Sequence, residues 1–403
     1  MANKSCCGGA SSGKAKPRYA TFTGTVSGTT GEKAPAKSGG CCGGGSNPKP
    51  KQACGCGGAK AQEKWVTDFV DTPAGKIPRV STHLTFRDVW GSWKCRWSIG
   101  RMDYKVDPGL YCVGAPDEKS PVLVTANYKM TFDRLRKEQE GLDAWILVLD
   151  TDGVNVWCAA GKGTFGTEEL VQRIGAVQLG KVVSHRTLIL PQLGATGVAA
   201  HLVQKRSGFK VLFGPVRAED LKAFLAAGMT ATEAMRTVRF PIFDRLVLTP
   251  MEFVASMKPL LLAFGVLFVL NALGLGHYGG ADFAALLGAI VAGCVITPVL
   301  LPFIPGRAFS FKGALTGLIW ALVVNIWQGF PGAPEYGWLK AVAYFLVVPA
   351  LSAFLAMNFT GSSTYTSLSG VDKEMKVALP AMLVSTAIGA VLLLVNDFSR
   401  TFG

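Results

Sequence analysis

Charge is what this chain has least of: Asp, Glu, Lys and Arg together make up 17% of its 403 residues, against 49% hydrophobic residues. That balance excludes an ordinary soluble protein and implies that part of the chain lies in a membrane. Charged residues thin out after about residue 258, where nearly all the long uncharged runs fall, so two regions with different solvents are expected. The N-terminus lacks the apolar stretch of a secretory signal. Ten cysteines in this length do not make a disulfide scaffold, and the soluble part is expected in a reducing cytoplasm. Residues 1–64 nearly lack acids, carrying ten Lys or Arg against only Glu32 and Glu63, a net +8 of the formal +14. They also lack aromatics apart from Tyr19 and Phe22. That absence argues against nucleic acid as a partner and for attraction to a membrane surface, at roughly 1 kcal/mol per basic residue near anionic lipid.

Residues 1–64 are rich in Gly, Ser, Lys, Pro and Ala, cannot bury enough apolar surface to fold, and are expected to form a disordered tail. Their thiols come in close groups: Cys6 with Cys7, Cys41 with Cys42, and Cys54 with Cys56. Such thiols can chelate a soft cation such as Hg(II), Cu(I) or Zn(II), or can sit idle in a flexible extension. No CxxCxxC spacing supports an iron–sulfur cluster.

From about residue 84 to 254, short β-rich runs alternate with helical patterns. The runs are "LYCVG", "PVLVTAN", "WILVLDT", "TLILPQL", "KVLFG" and "DRLVLTP". The alternation predicts a parallel sheet with crossover helices, in a domain spanning residues 65–254. Ligands of such sheets bind at the carboxyl ends of the strands, and "NVWCAAGK", residues 155–162, follows one of those ends. After Pro259 come five apolar runs, each close to the roughly 20 residues that cross a bilayer. They predict a transmembrane domain over residues 255–403. Arg307 with Lys312, and Lys373 with Lys376, fall in the second and fourth connections, while "HYGGAD" and "PGAPEYG" carry no Lys or Arg. By the positive-inside bias the α/β domain is expected in the cytoplasm, and the C-terminus outside the inner (cytoplasmic) membrane. Asn271 and Asn325 lie within spans, where helix-to-helix hydrogen bonds are their expected use. A buried Asp, Glu or Arg array of the kind that marks ion-coupled transport is missing.

"NVWCAAGK" is not a phosphate-binding loop, because Gly153 stands too far from Gly161 and Lys162, and Gly163 replaces the magnesium-holding Ser or Thr. "GATG" at Gly194 to Gly197 lacks the GxGxxG spacing of a dinucleotide site. If Asn155 opens a short helix, then Asn155, Cys158 and Lys162 share one face. A thiol in the first turn with a Lys one turn on sits where the thiolate is favoured. Cys158 is therefore a candidate thiolate, and it reads equally as a small buried core residue. Gly161 is expected to end the helix, Ala159 and Ala160 to let a flat, bulky ligand approach the backbone, and Trp157 to point into the domain as an anchor. Cys95 and Cys112 read as packing residues, and Cys294 lies in a span.

"NVWCAAGK" resembles the signature of the HgcA family of mercury-methylation corrinoid proteins. "PVLVTANYKMTFDRLR" and "LILPQLGATGV" also resemble that family and its relative, the large subunit of the corrinoid iron-sulfur protein. The resemblance covers roughly residues 84 to 400. It implies a Rossmann-like corrinoid-binding α/β domain followed by an all-α transmembrane domain of five helices. It further implies that the helix of Asn155, Val156, Trp157, Cys158, Ala159, Ala160, Gly161 and Lys162 caps the lower face of a cobalt corrinoid, with Cys158 as axial ligand and Asn155 and Lys162 tuning the sulfur. The DxHxxG pattern of His-ligated corrinoid proteins is absent around His83, His185 and His201, in agreement with a sulfur ligand. Thr125, Asn127 and Tyr128, and Gln192, Leu193 and Gly194, stand at strand ends and are the expected contacts of the corrinoid and its tail. The implied activity is that of a methyltransferase passing methyl from Cys-ligated methylcobalt to Hg(II), forming methylmercury. The implied partners are a ferredoxin-like electron donor with two four-iron four-sulfur clusters and a methyltetrahydrofolate-linked methyl donor. A methyl carrier of acetyl-CoA chemistry, or a soft-metal binding or transport protein of the membrane, are the competing readings.

Overall fold

The computed structural model describes residues 63–332, 336–363, 365 and 368–402. The paired thiols of the tail, and the expectations of disorder and Hg(II) binding placed on them, lie outside the described residues. In chain order the α/β part runs β1 (Val66–Thr72), β2 (Gly75–Val80), α1 (Phe86–Arg96), β3 (Gly109–Val113), β4 (Val122–Ala126), α2 (Lys129–Lys137), β5 (Ala144–Leu149), α3 (Val156–Lys162), α4 (Thr167–Ala176), α5 (Leu179–Val182), β6 (Thr187–Leu190), α6 (Ala200–Ser207), β7 (Lys210–Phe213), α7 (Leu221–Ala226) and α8 (Glu233–Arg236). The sheet order is β1-β2-β3-β5-β4-β6-β7.

The sheet is mixed, not parallel throughout. Strands β5, β4, β6 and β7 are parallel, but β3 runs antiparallel to β5 and β1 antiparallel to β2. The reason lies in the connections: β3 is followed by a short helix-free loop before β4, too little chain for the crossover a parallel neighbour requires. Strands β4 and β5 are buried along their whole length, as expected of strands covered on both faces. One face packs Leu147 and Leu149 against Phe165 and Leu170, the other packs Ile146 and Val148 against Phe132 and Trp65.

The expected strand "DRLVLTP" is helical. It forms part of α9 (Ile242–Ala272), which runs on without a break into the first apolar span. A short apolar run cannot tell strand from helix by periodicity, and here Arg245 and Thr249, one turn apart, both turn inward.

A buried ion network fixes α1 to α2. Lys129 Nζ lies 2.9 Å from Asp88 and 2.6 Å from Asp133, while Arg136 reaches Asp88 at 3.0 Å and Asp133 at 2.7 Å. Burial alone would raise the Asp88 carboxyl, but hydrogen bonds from Lys129 and Thr85 outweigh it and hold the group down at about 2. A depressed carboxylate contributes stability that is present above the ordinary carboxylate range and lost as pH falls from that range towards 2. Asp88→Asn, which leaves two buried cations short of a counter-charge, should cost about 3–5 kcal/mol. Thermal unfolding at neutral pH in detergent checks this, and the deficit should shrink as the pH approaches 2.

The remaining helices are α10 (Gly280–Val291), a π-helical turn (Ala292–Ile296), α11 (Thr297–Val299), α12 (Phe309–Trp327), α13 (Trp338–Asn358) and α14 (Leu368–Phe402). With α9 they make five helical stretches long and apolar enough to cross a membrane. Gly313 and Gly317 let α12 approach α13 closely, since a Cβ at either would come within 2.7 Å of the Ser352 or Pro349 region, the small-residue packing of lipid-embedded helices. Asn325 and Asn271 do not bridge helices as expected. Asn325 bonds the Ala321 carbonyl and the Tyr336 hydroxyl, and Asn271 bonds the backbone of Tyr278, so both tie helix ends to the loops beside them. A buried charge is present after all: Asp282 pairs with Lys340 at 2.9 Å and accepts from the Tyr344 hydroxyl. Asp282 and Lys340 each sit in the first turn of their helices, so the sequence shows them as separate span-end residues.

Candidate functional site

The site is built on the loop that leaves β5. Asn127, at the end of β4 and 1% exposed, gathers that loop: its Oδ1 accepts from the Thr151 N–H (3.1 Å), the Thr151 hydroxyl (2.8 Å) and the Gly153 N–H (2.9 Å), and its Nδ2 donates to Asp150 (3.0 Å). Asp152 and Gly153 turn the chain with φ of 55° and 73°. Asn155 then caps α3, its side chain accepting from the Cys158 N–H at 2.9 Å. Losing such a cap costs roughly 1 kcal/mol. Asn155→Ala should therefore speed hydrogen exchange at the Cys158 amide while leaving the sheet amides unchanged, and slow exchange at Cys158 would refute the cap's role.

α3 presents two faces. Val156, Ala159 and Ala160 are buried against the sheet, and Trp157, Cys158, Gly161 and Lys162 are exposed. Cys158 is the one exposed cysteine among the described residues, so the core reading of this thiol does not hold; Cys95, Cys112 and Cys294 are buried. Burial pushes the Cys112 thiol up to about 11, and Cys95 meets the Tyr128 hydroxyl at 3.1 Å. Trp157 is not an inward anchor: it is 37% exposed and lines a cleft. Gly161 does not end the helix; Gly163 does, with φ of 85°. At both glycines nothing lies within 4 Å of where a Cβ would sit, so the space over α3 is open.

The cleft, of about 400 Å³, lies beside α3 at the carboxyl ends of β4 and β6. Thr125, Tyr128, Asn155, Val156, Trp157 and Leu193 line it, so six of the residues singled out in the sequence converge there. Asn127 does not; it shapes the loop from behind. Gln192 accepts from Arg236 at 3.4 Å outside the lining. Gly194 is buried, because a Cβ there would fall 2.6 Å from the Phe165 ring; Gly197 likewise would place one 2.2 Å from the Phe165 carbonyl oxygen. The "GATG" glycines thus serve close packing of their loop on the end of α3.

Three lining residues had no signal in the sequence: Arg96 from α1, Arg134 from α2 and Arg217 from the loop after β7. Burial pulls the Arg96 guanidinium below its ordinary range, with Arg134 nearby adding to the effect. Arg217 is paired with Glu219 (2.7 Å) and Asp244 (2.6 Å). The histidines stand elsewhere: His83 and His201 are exposed, and His185 bonds the Ser120 carbonyl at the amino end of β4.

The carboxyl edge of this α/β sheet thus carries a capped helix with an outward thiol, beside a cleft that Arg96, Arg134 and Arg217 help to line. Residues 95–225 match the family model described as CO dehydrogenase/acetyl-CoA synthase delta subunit. Similar proteins include the acetyl-CoA decarbonylase/synthase complex subunit gamma of Methanopyrus kandleri, 34% identical over 134 residues, which are 33% of this chain and 29% of that one. The corresponding subunit of Methanocaldococcus jannaschii is 36% identical over 105 residues, 26% of this chain and 22% of its own. The corrinoid/iron-sulfur protein large subunit of Moorella thermoacetica is 31% identical over 143 residues, 35% of this chain and 32% of its own. The chain thus spans a third or less of the length of these relatives. The family-model match lies within the α/β part, and a corrinoid/iron-sulfur large subunit, which the sequence motifs resemble, is among the similar proteins.

Proposed function

We propose that this chain is a membrane-anchored corrinoid-dependent methyltransferase that passes a methyl group to Hg(II), forming methylmercury. The observation that carries the reading is the exposed thiol of Cys158 on a short helix capped by Asn155, at the carboxyl edge of the sheet. The residues present suit a flat cobalt macrocycle: a single soft donor, small neighbours, and open space above Gly161 and Gly163. A bound corrinoid supplies the transferable methyl group and the metal chemistry. Cys158 Sγ would be the soft, strongly donating group that holds the cobalt of such a corrinoid, and that donation would make the methyl group easier to release with its electron pair. Asn155 holds the Cys158 backbone, and buried Ala159 and Ala160 fix the helix to the sheet. Lys162 lies one turn beyond the thiol and adds positive charge near it. Thr125, Tyr128 and Leu193 are assigned to the edge of the macrocycle or its tail, while Asn127, Gln192 and Gly194 act by shaping the loops.

Reducing equivalents are assigned to a ferredoxin-like protein with two four-iron four-sulfur clusters, and the methyl supply to a methyltetrahydrofolate-linked system. Residues 65–254 are assigned to the cytoplasmic face of the inner membrane and 255–403 to the membrane, with α9 crossing the boundary and the C-terminus outside. A methyl carrier of acetyl-CoA chemistry is the second reading, favoured by the names of the relatives above. The test is anaerobic purification, loading with methylcorrinoid and addition of Hg(II). Methylmercury forming faster than from free methylcorrinoid supports the proposal, and an equal rate moves the carrier reading to the front.

A further inference from the structure

One face of α1 is aromatic and outward. Phe86, Trp90, Trp93 and the C-cap Trp97 stand at i, i+4, i+7 and i+11, a single stripe along the helix, and are 81%, 52%, 59% and 41% exposed. Phe86 and Trp90 stack on each other with ring centroids 6.4 Å apart. The opposite face is committed to the domain: Asp88 and Cys95 are buried, and Gly91 lies against the Tyr104 ring. Because Asp88 is held in its ion pairs, the exposed charges of α1 are Arg87 and Lys94, seven residues apart on one flank of the stripe.

The contacts of α9 set the height of this helix. Arg96 Nη1 donates to the Val247 carbonyl of α9 at 3.4 Å. Two residues earlier, Arg245 Nε donates to the Val299 carbonyl at 3.0 Å, where the second span ends. Phe240 stacks on Phe359, just past the end of α13, with centroids 6.4 Å apart. The early turns of α9 are therefore level with the ends of two of the candidate spans, and α1 is attached at that level. Ile242, Phe243 and Leu246 of α9 are exposed there too.

We propose, resting on the reading that the helical bundle crosses a membrane, that α1 is an interfacial helix. Trp90, Trp93 and Trp97 lie in the headgroup layer, the preferred depth of Trp, and Arg87 and Lys94 pair with acidic lipid headgroups. A soluble protein could also use an aromatic stripe, but the level of α1 at the span ends favours lipid. Arg96 of the same helix lines the cleft, so this contact holds the cleft beside the bilayer surface.

The test uses the full chain in vesicles of phosphatidylethanolamine and phosphatidylglycerol, with a spin label either near the headgroup or deep in the acyl chain. The comparison variant carries Trp90→Phe, Trp93→Phe and Trp97→Phe, substitutions at exposed positions that are expected to leave the fold intact. The emission difference between the two proteins reports the three indoles alone. Roughly twofold quenching of that difference by the shallow label, with little by aqueous iodide, is expected for interfacial indoles. Iodide quenching without lipid quenching overturns the proposal and leaves the stripe to a soluble partner. The deep label should quench Trp320, which lies within the third span, in both proteins; if it does not, the bundle is not in the bilayer and both readings fall.

Discussion

Cys158→Ala is expected to lower methylmercury formation on the order of 100-fold or more, towards the rate of free methylcorrinoid, while leaving the fold intact. Altering groups that merely orient a metal ligand costs roughly 10–100-fold, and this change removes the proposed ligand itself. Stability should change little, because the Cys158 side chain is exposed and Ala is the better helix former. The variant should still take up corrinoid through the cleft, so loss of turnover and loss of binding are separable. The absorption spectrum gives a second readout, since a sulfur-ligated corrinoid and one bearing water or no lower ligand differ in colour. If the variant matches the native protein in rate and spectrum, Cys158 is not the ligand. If rate falls but the spectrum does not, the thiol acts on Hg(II) rather than on cobalt. No other described cysteine can take over, because Cys95, Cys112 and Cys294 are buried.

How much of this was legible in the sequence depended on how local the determinant is. "WILVLDT" declares a central strand because a strand covered on both faces must be apolar throughout, and β5 is buried at every position. The cap of α3 was legible because Asn155 and the Cys158 amide are three residues apart. The β1–β2 hairpin was not: "VTDFVDT" is half-exposed at the sheet edge and shows no apolar run. The arginines of the cleft could not be read at all. Arg96, Arg134 and Arg217 come from three elements separated by 38 and 83 residues and meet through the fold alone. Asp282 and Lys340 likewise pair across 58 residues. Nor could the aromatic spacing of α1 be assigned a side, because the buried ion network that decides which face turns inward is assembled from Asp88, Lys129, Asp133 and Arg136.

Alanine at two glycines of the site should shift stability in opposite directions while weakening corrinoid binding at both, and the second tests whether the open face of α3 receives the corrinoid. At Gly197 a Cβ would sit 2.2 Å from the Phe165 carbonyl oxygen and 3.0 Å from Ala160 Cα. These are backbone atoms that cannot swing aside. Gly197→Ala must move the loop or α3, at about 1–3 kcal/mol of overpacking cost, and the thiol moves with the helix. Corrinoid affinity should fall roughly tenfold or more, since about 1.4 kcal/mol is a factor of ten, and the melting temperature should drop with it. At Gly161 nothing lies within 4 Å of the new methyl, and the residue is inside the helix. Gly161→Ala should therefore stabilise the corrinoid-free protein, by up to about 1 kcal/mol of helix propensity, yet weaken corrinoid binding by placing a methyl group on the approach to the macrocycle. Calorimetric melting of the corrinoid-free protein, paired with titration of a corrinoid, separates the two effects. A Gly161→Ala protein that is more stable and binds as tightly as the native one would mean that the macrocycle does not lie on this face, whatever the fate of Cys158→Ala.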